Sequence, residues 1–212
     1  NNISIINMES MPIRRYVNAD NSCLFSTIAY LIDTNNFNEN SGLIYRLMVV
    51  DYIKDGNISQ DILGVSKDEY ITKIADPKSW GGAIELKLFS DIFQVQIASL
   101  DVMTGRMDLF GETEQYEKRI YIMYNGVHYD PLVMNYDEIA DTETDLTIFP
   151  IDDDTKLIMF KDYVESIRAK GDYFDPSKIQ NFQCSDCQEI FNDEKDVMTH
   201  AEANNHWNFA HV

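Results

Sequence analysis

Seven residues of this chain carry a thiol or an imidazole, and their spacing divides them into two chemistries. Cys184-x2-Cys187-x12-His200-x5-His206 is the arrangement by which a short hairpin and a following helix present two thiolates and two imidazoles tetrahedrally to a metal ion, typically Zn2+. Phe191 and Val197 fall where the small apolar core beneath such a metal belongs. A segment this short folds only with its metal, so the role expected of the ion is structural. His211 is left without a role.

Cys23 and His128 form the other group. They lie 105 positions apart, so their meeting cannot be read from spacing. Cys23 stands at the expected N-terminus of a helix, where unpaired N–H groups and the positive dipole end favour a thiolate. The loop amides from Asp20 to Ser22, with that of Cys23, are placed to meet the oxygen of a tetrahedral intermediate. His128 follows a tight turn on an expected strand. Asp130, two positions on and on the same face, could orient the ring while its other nitrogen exchanges a proton with the thiol. From the residues alone two readings stand: a cysteine nucleophile with its base, or a non-catalytic protein-binding module whose thiol and imidazole are structural.

The elements that must position these groups follow from periodicity. Helices are expected over Cys23–Ile32, about Leu43–Ile53, from a Ser66/Glu69 capping box to before Asp76-Pro77, about Ala83–Asp91, and Thr155–Lys170. The last is closed by Gly171 and expected outside the sheet region. Strands are expected over Val95–Leu100, Met107–Phe110, Arg119–Tyr124 and Val127–Asp130. Asn125-Gly126 turns the last pair, and Asp130-Pro131 is expected to end it. Gly81 and Gly82 are expected to start a helix, and Trp80 to lie in the core.

Composition bounds the rest. With 212 residues, 36 acidic against 17 basic and a net charge of −19, the chain is not a nucleic-acid wrapper. The finger from Phe182 onward has six acidic residues and one basic, Lys195, so a protein-binding or structural finger is expected rather than a DNA reader. Eight carboxylates between Asp137 and Asp154, with no Lys or Arg among them, are expected to form a solvated loop. Three Cys make no disulfide scaffold, and the longest apolar runs are far shorter than the about 20 residues needed to cross a bilayer. The chain opens on Asn1 with nothing resembling a signal peptide, so a fragment of a cytoplasmic or nuclear protein is expected.

Three stretches, Asp20-Asn21-Ser22-Cys23-Leu24-Phe25, Trp80-Gly81-Gly82-Ala83-Ile84-Glu85-Leu86 and Asn125-Gly126-Val127-His128-Tyr129-Asp130-Pro131, resemble the OTU (ovarian tumour) family of deubiquitinating cysteine proteases. Their order, and a finger following an extra helix, resemble the branch with a C-terminal two-Cys two-His finger. The resemblance implies an α+β, papain-like fold with a small mixed sheet between helical lobes and a C-terminal ββα zinc finger. It divides the chain into a catalytic domain over 12–150, a helical connector over 151–179 and the finger over 180–212. It implies Cys23 as nucleophile, His128 as base, Asp130 as orienting acid and Asp20 as the residue shaping the oxyanion loop, with no cofactor for catalysis. The implied reaction is hydrolysis of isopeptide or thioester-type bonds at the C-terminus of ubiquitin in polyubiquitin chains. The implied setting is protein quality control and ER-associated degradation beside a valosin-containing AAA ATPase, gripped through a domain absent from this chain. The ubiquitin tail is basic and extended, and an acidic surface would attract it.

Overall fold

The computed structural model describes residues 10–174, 182–191 and 194–211. The chain forms two compact units, Asn1–Tyr173 and Phe174–Val212.

The first unit is built on a six-stranded sheet: β1 (Met11–Arg14), β2 (Gln96–Asp101), β3 (Met107–Phe110), β4 (Lys118–Tyr124), β5 (Tyr129–Asn135) and β6 (Phe149–Pro150). The order is β1-β5-β4-β2-β3, with β6 paired to the start of β4. Only β2 and β4 run parallel. Alternation along the strands assigns the two faces. Ile97, Ile120, Ile122 and Val133 turn to one core, while Ala98, Leu100, Tyr121, Met123, Leu132 and Met134 turn to the other.

Helices α1 (Cys23–Ile32), α2 (Ser41–Lys54), α4 (Lys67–Ala75) and α5 (Ala83–Phe93) cover the first face, with a single turn, α3 (Gln60–Leu63), between α2 and α4. The Ser66 hydroxyl caps α4 by accepting from the Glu69 N–H at 3.2 Å. Helices α1 and α2 pack closely because Gly42 faces α1: a Cβ there would meet Ser26 Oγ at 2.4 Å.

The other face is covered by α6 (Asp154–Lys170). Phe160, Val164 and Ile167 of this helix are buried in the second core, with the Phe160 ring stacked 4.3 Å from Tyr121 and edge-on to Phe149 at 5.5 Å. The helix expected outside the sheet region is therefore part of the sheet's packing. The reason is visible in β4, whose Tyr121 and Met123 need an apolar cover that no other helix among the described residues supplies on that side.

Three further expectations change. Strand β5 does not stop at Pro131 but runs to Asn135, pairing with β4 and β1 on its two sides. The Pro131 carbonyl still serves the sheet, accepting from the Arg15 N–H at 3.1 Å, so the missing donor does not end the strand. Trp80 is 60% exposed rather than in the core. The acidic loop is not wholly solvated: the Asp145 side chain is fully buried, accepting from Arg15 Nε and an Arg15 terminal nitrogen (2.9 and 2.7 Å), Asn135 (2.6 Å) and the Tyr30 hydroxyl (2.5 Å). A carboxylate with this many donors tolerates burial, and it ties β1, β5 and α1 to the loop.

The second unit has the expected hairpin, β7 (Phe182–Cys184) and β8 (Ile190–Phe191), and the helix α7 (Glu194–Asn204). A strand that periodicity did not announce, β9 (Phe209–His211), pairs with β7 and places His211 opposite Phe182. No helix among the described residues is long and apolar enough to cross a membrane.

Candidate active site

Cys23 is the first residue of α1 and His128 the residue before β5. Their meeting depends on how α1 lies along that strand. One turn after Cys23, Thr27 Oγ1 donates to the Tyr129 carbonyl at 2.9 Å, fixing the helix to the backbone beside His128. The turn before His128 is equally constrained. Asn125 Oδ1 accepts from the N–H groups of Val127 (3.2 Å) and His128 (2.8 Å), and Gly126 takes φ of 104°, a conformation that favours glycine.

His128 Nε2 lies 3.1 Å from Asp130 Oδ1. The Asp130 carboxylate has no solvent exposure. Its Oδ1 also accepts from the Val17 N–H at 3.1 Å, and its Oδ2 accepts from Arg14 at 2.8 and 2.7 Å. With Nε2 turned to Asp130, Nδ1 is left for the thiol side. The hydrogen bond to Asp130 is the largest contribution pushing the His128 pKa up to about 9, followed by one with the Cys23 side chain; burial opposes both. Burial alone would raise the Asp130 pKa, but the bond and charge of His128, the Val17 amide and Arg14 together hold it below the ordinary carboxylate range. The structure thus brings Cys23, His128 and Asp130 into one line.

Asp20 has a different place. It is exposed and stands in the loop before Cys23, with Oδ1 accepting from the Ser22 N–H at 2.7 Å and its carbonyl from the Cys23 N–H at 3.2 Å. The Asp20 N–H itself donates to Asn18 at 2.9 Å. Three of the four amides expected to meet an oxyanion are therefore engaged inside the loop, and only the Asn21 N–H has no acceptor among the described residues.

A cleft of about 350 Å³ opens over this line, walled by Asp20, Asn21, Trp80, Gly82, Tyr124 and Val127. Trp80 Nε1 donates to Asn21 Oδ1 at 2.5 Å, tying the cleft wall to the nucleophile loop. Gly82 caps α5, and a Cβ on it would meet nothing within 4 Å, so it leaves open space. A Cβ on Gly81 would lie 3.0 Å from the Phe25 ring. Sequence reasoning missed Arg14 and Arg46 as parts of this site. For Arg46 a signal existed, a cation four residues after Gly42 and three before Val49, on the buried stripe of α2.

In the second unit Cys184, Cys187, His200 and His206 offer one ligand atom each, all within 4.8 Å of one another, and could hold a metal ion. Cys184 Sγ lies 3.6 Å from His206 Nδ1, Cys187 Sγ 3.4 Å from His200 Nε2, and the two imidazole nitrogens 3.2 Å apart. Tetrahedral Zn–S and Zn–N bonds of ordinary length require about 3.6 Å and about 3.3 Å for these separations, so the donor set fits. His200 Nδ1 meets Glu189 Oε2 at 3.0 Å, which leaves Nε2 facing the cluster.

The OTU-like cysteine protease family matches residues 18–140. The chain is 34% identical over 198 residues to ubiquitin thioesterase OTU1 of Dictyostelium discoideum, covering 92% of this chain and 60% of that protein. It is 32% identical over 208 residues to the ovarian tumor domain-containing deubiquitinating enzyme 2 of Arabidopsis thaliana, covering 95% of this chain and 98% of that protein. To human ubiquitin thioesterase OTU1 it is 33% identical, spanning 59% of that protein's length. A solved OTU domain in complex with ubiquitin superposes with a TM-score of 0.63 at 28% identity, covering 80% of this chain and 99% of that one. With the sheet and helices described above, these similarities place the chain in the OTU family of cysteine proteases.

Proposed function

We propose that this chain is a thiol-dependent deubiquitinase. The observation that carries this reading is His128 held between the Cys23 side chain and a carboxylate buried without solvent exposure. In the proposed reaction the Cys23 thiolate attacks the carbonyl carbon at the ubiquitin C-terminus. His128 delivers its proton to the leaving amine, or to the leaving thiolate of a thioester. Water, deprotonated by His128, then hydrolyses the acyl-enzyme and returns the thiol. Asp130 holds the ring in orientation, and Asp20 shapes the oxyanion loop ahead of Cys23, in which the Asn21 amide is left for the developing charge.

The relatives' names supply ubiquitin as the substrate class, and the net charge of −19 suits a basic tail. The metal proposed for the finger is Zn2+, serving as a crosslink between hairpin and helix. Work in the cytoplasm and nucleus, in protein quality control and ER-associated degradation beside a valosin-containing AAA ATPase, completes the proposal on the strength of the sequence resemblance.

A ubiquitin vinyl-sulfone probe with di-ubiquitin cleavage tests the enzymatic part. Covalent capture lost in Cys23→Ser, together with loss of cleavage, is the expected result. Saturable ubiquitin binding without capture by the unaltered protein would establish the binding-module reading instead.

A further inference from the structure

Arg46 is a cation with no solvent exposure, and it makes no salt bridge among the described residues. One terminal nitrogen donates to the Ile74 carbonyl at 2.9 Å, at the C-terminal end of α4. The other donates to the Asn21 carbonyl at 2.8 Å and the Ser22 hydroxyl at 3.0 Å. The guanidinium lies over the Phe25 ring, 4.1 Å from its centre, and Nε finds no hydrogen-bond partner among the described residues. Burying a charge against neutral partners is unfavourable for stability, and an apolar side chain of similar volume would fill the space at lower cost.

What the guanidinium grips is the peptide just ahead of the candidate nucleophile. A trans peptide is planar, with C=O and N–H pointing opposite ways. Holding the Asn21 carbonyl inward therefore aims the Ser22 N–H away from the guanidinium, to the carboxylate of Asp20, a residue of the cleft wall. A flip of that peptide would turn the N–H toward the guanidinium, donor against donor. We infer that Arg46 is a positioning residue for the reaction: it locks the Asn21–Ser22 peptide and with it the shape of the loop that carries Cys23 into the cleft. Glu85, Asp20 and Asp76 lie within electrostatic reach of the cation, although none pairs with it directly. The inference rests on the proposed role of Cys23 and extends it to a residue that touches neither substrate nor sulfur.

The test uses the full chain with Arg46→Lys, Arg46→Met and Ser22→Ala. Steady-state cleavage of di-ubiquitin is measured beside thermal unfolding. Lysine keeps the charge but cannot span Ile74 and the loop together. The expected result is a kcat reduced about tenfold or more in both Arg46 variants, with KM within about threefold, and a smaller kcat loss in Ser22→Ala. A kcat loss without a matching rise in KM, in variants whose thermal unfolding is cooperative, is a split that a merely structural role would not give. Folded Arg46 variants with unaltered kcat would overturn the inference. Should both fail to fold, Ser22→Ala decides, since it removes only the hydroxyl that Arg46 grips, and an unaltered kcat there is equally fatal. Absence of turnover in the unaltered protein would instead remove the deubiquitinase reading, and the variant ratios are read only against that control.

Discussion

Arg14 on β1 and Asp130 on β5 form an ion pair of 2.7 Å in which the carboxylate is entirely shielded from solvent and the guanidinium side chain is 10% exposed. The two oxygens of Asp130 are divided: Oδ2 serves Arg14, and Oδ1 serves His128 and the Val17 amide. Arg14 and Val17 precede residue 18, where the family match begins, yet they complete the environment of the proposed orienting acid. Removing one partner of a buried pair strands the other. Arg14→Met should destabilise the first unit by about 3–5 kcal/mol in urea unfolding, and a loss below about 1 kcal/mol would show the pair to be dispensable.

The elevated His128 pKa sets a pH dependence with a definite sign. Below about 9 the ring is imidazolium beside Asp130, and above it that charge is lost. The alkaline limb of kcat/KM should therefore bend near pH 9, and Asp130→Asn, which removes the largest stabiliser of the imidazolium, should move it to lower pH. The same group stabilises the fold fully below its unfolded pKa of about 6.5, and this contribution fades as pH rises through about 9. Asp130 acts oppositely: its contribution is present above the unfolded carboxylate pKa of about 3.9 and is lost as pH falls through its lower folded value. An alkaline limb that Asp130→Asn leaves in place would separate His128 from catalysis.

Gly126, at φ of 104°, closes the turn that delivers His128. Alanine there should cost about 1–2 kcal/mol of stability and, by displacing the ring, lower kcat more than it raises KM. Wild-type kinetics in Gly126→Ala would mean the turn adapts without moving the imidazole.

For the finger, one metal ion per chain is expected by elemental analysis. Chelation should make Cys184 and Cys187 available to a thiol reagent, two additional reactive groups per chain. Glu189→Gln, which weakens the grip on His200 Nδ1, should reduce metal affinity about tenfold. Metal-free protein with α7 intact by amide exchange would exclude the structural role.

Much of the line through the site was legible because local chemistry announces itself. Cys23 at a helix start, Asn125-Gly126 before His128, and Asp130 two residues on are all readable from neighbours in sequence, and the four-residue metal set from its spacing. The illegible part is long-range. Arg14 meets Asp130 across 116 positions, and nothing in a local window distinguishes that cation from a solvated one; Arg46 stands on the buried stripe of α2, but its partner Asn21, 25 positions away, is set by the fold alone. Asp145 was hidden for the opposite reason, standing in a run of acids where only the fold selects the one that Arg15 and Tyr30 bury. Strand β1, with Pro12 in its four residues, lacks the period of a strand and exists because β5 offers it a free edge.

Helix α6 carries a practical lesson for anyone cutting this gene. A fragment ending at Pro150 would bare Tyr121, Met123 and Phe149 while discarding Phe160, Val164 and Ile167, each worth about 1.5–3 kcal/mol once interred. It would also forfeit the Tyr163 hydroxyl that receives the amide of Arg14 on β1, the residue whose side chain pairs with Asp130 of β5. A fragment that keeps both faces of the sheet covered should therefore extend at least through Lys170.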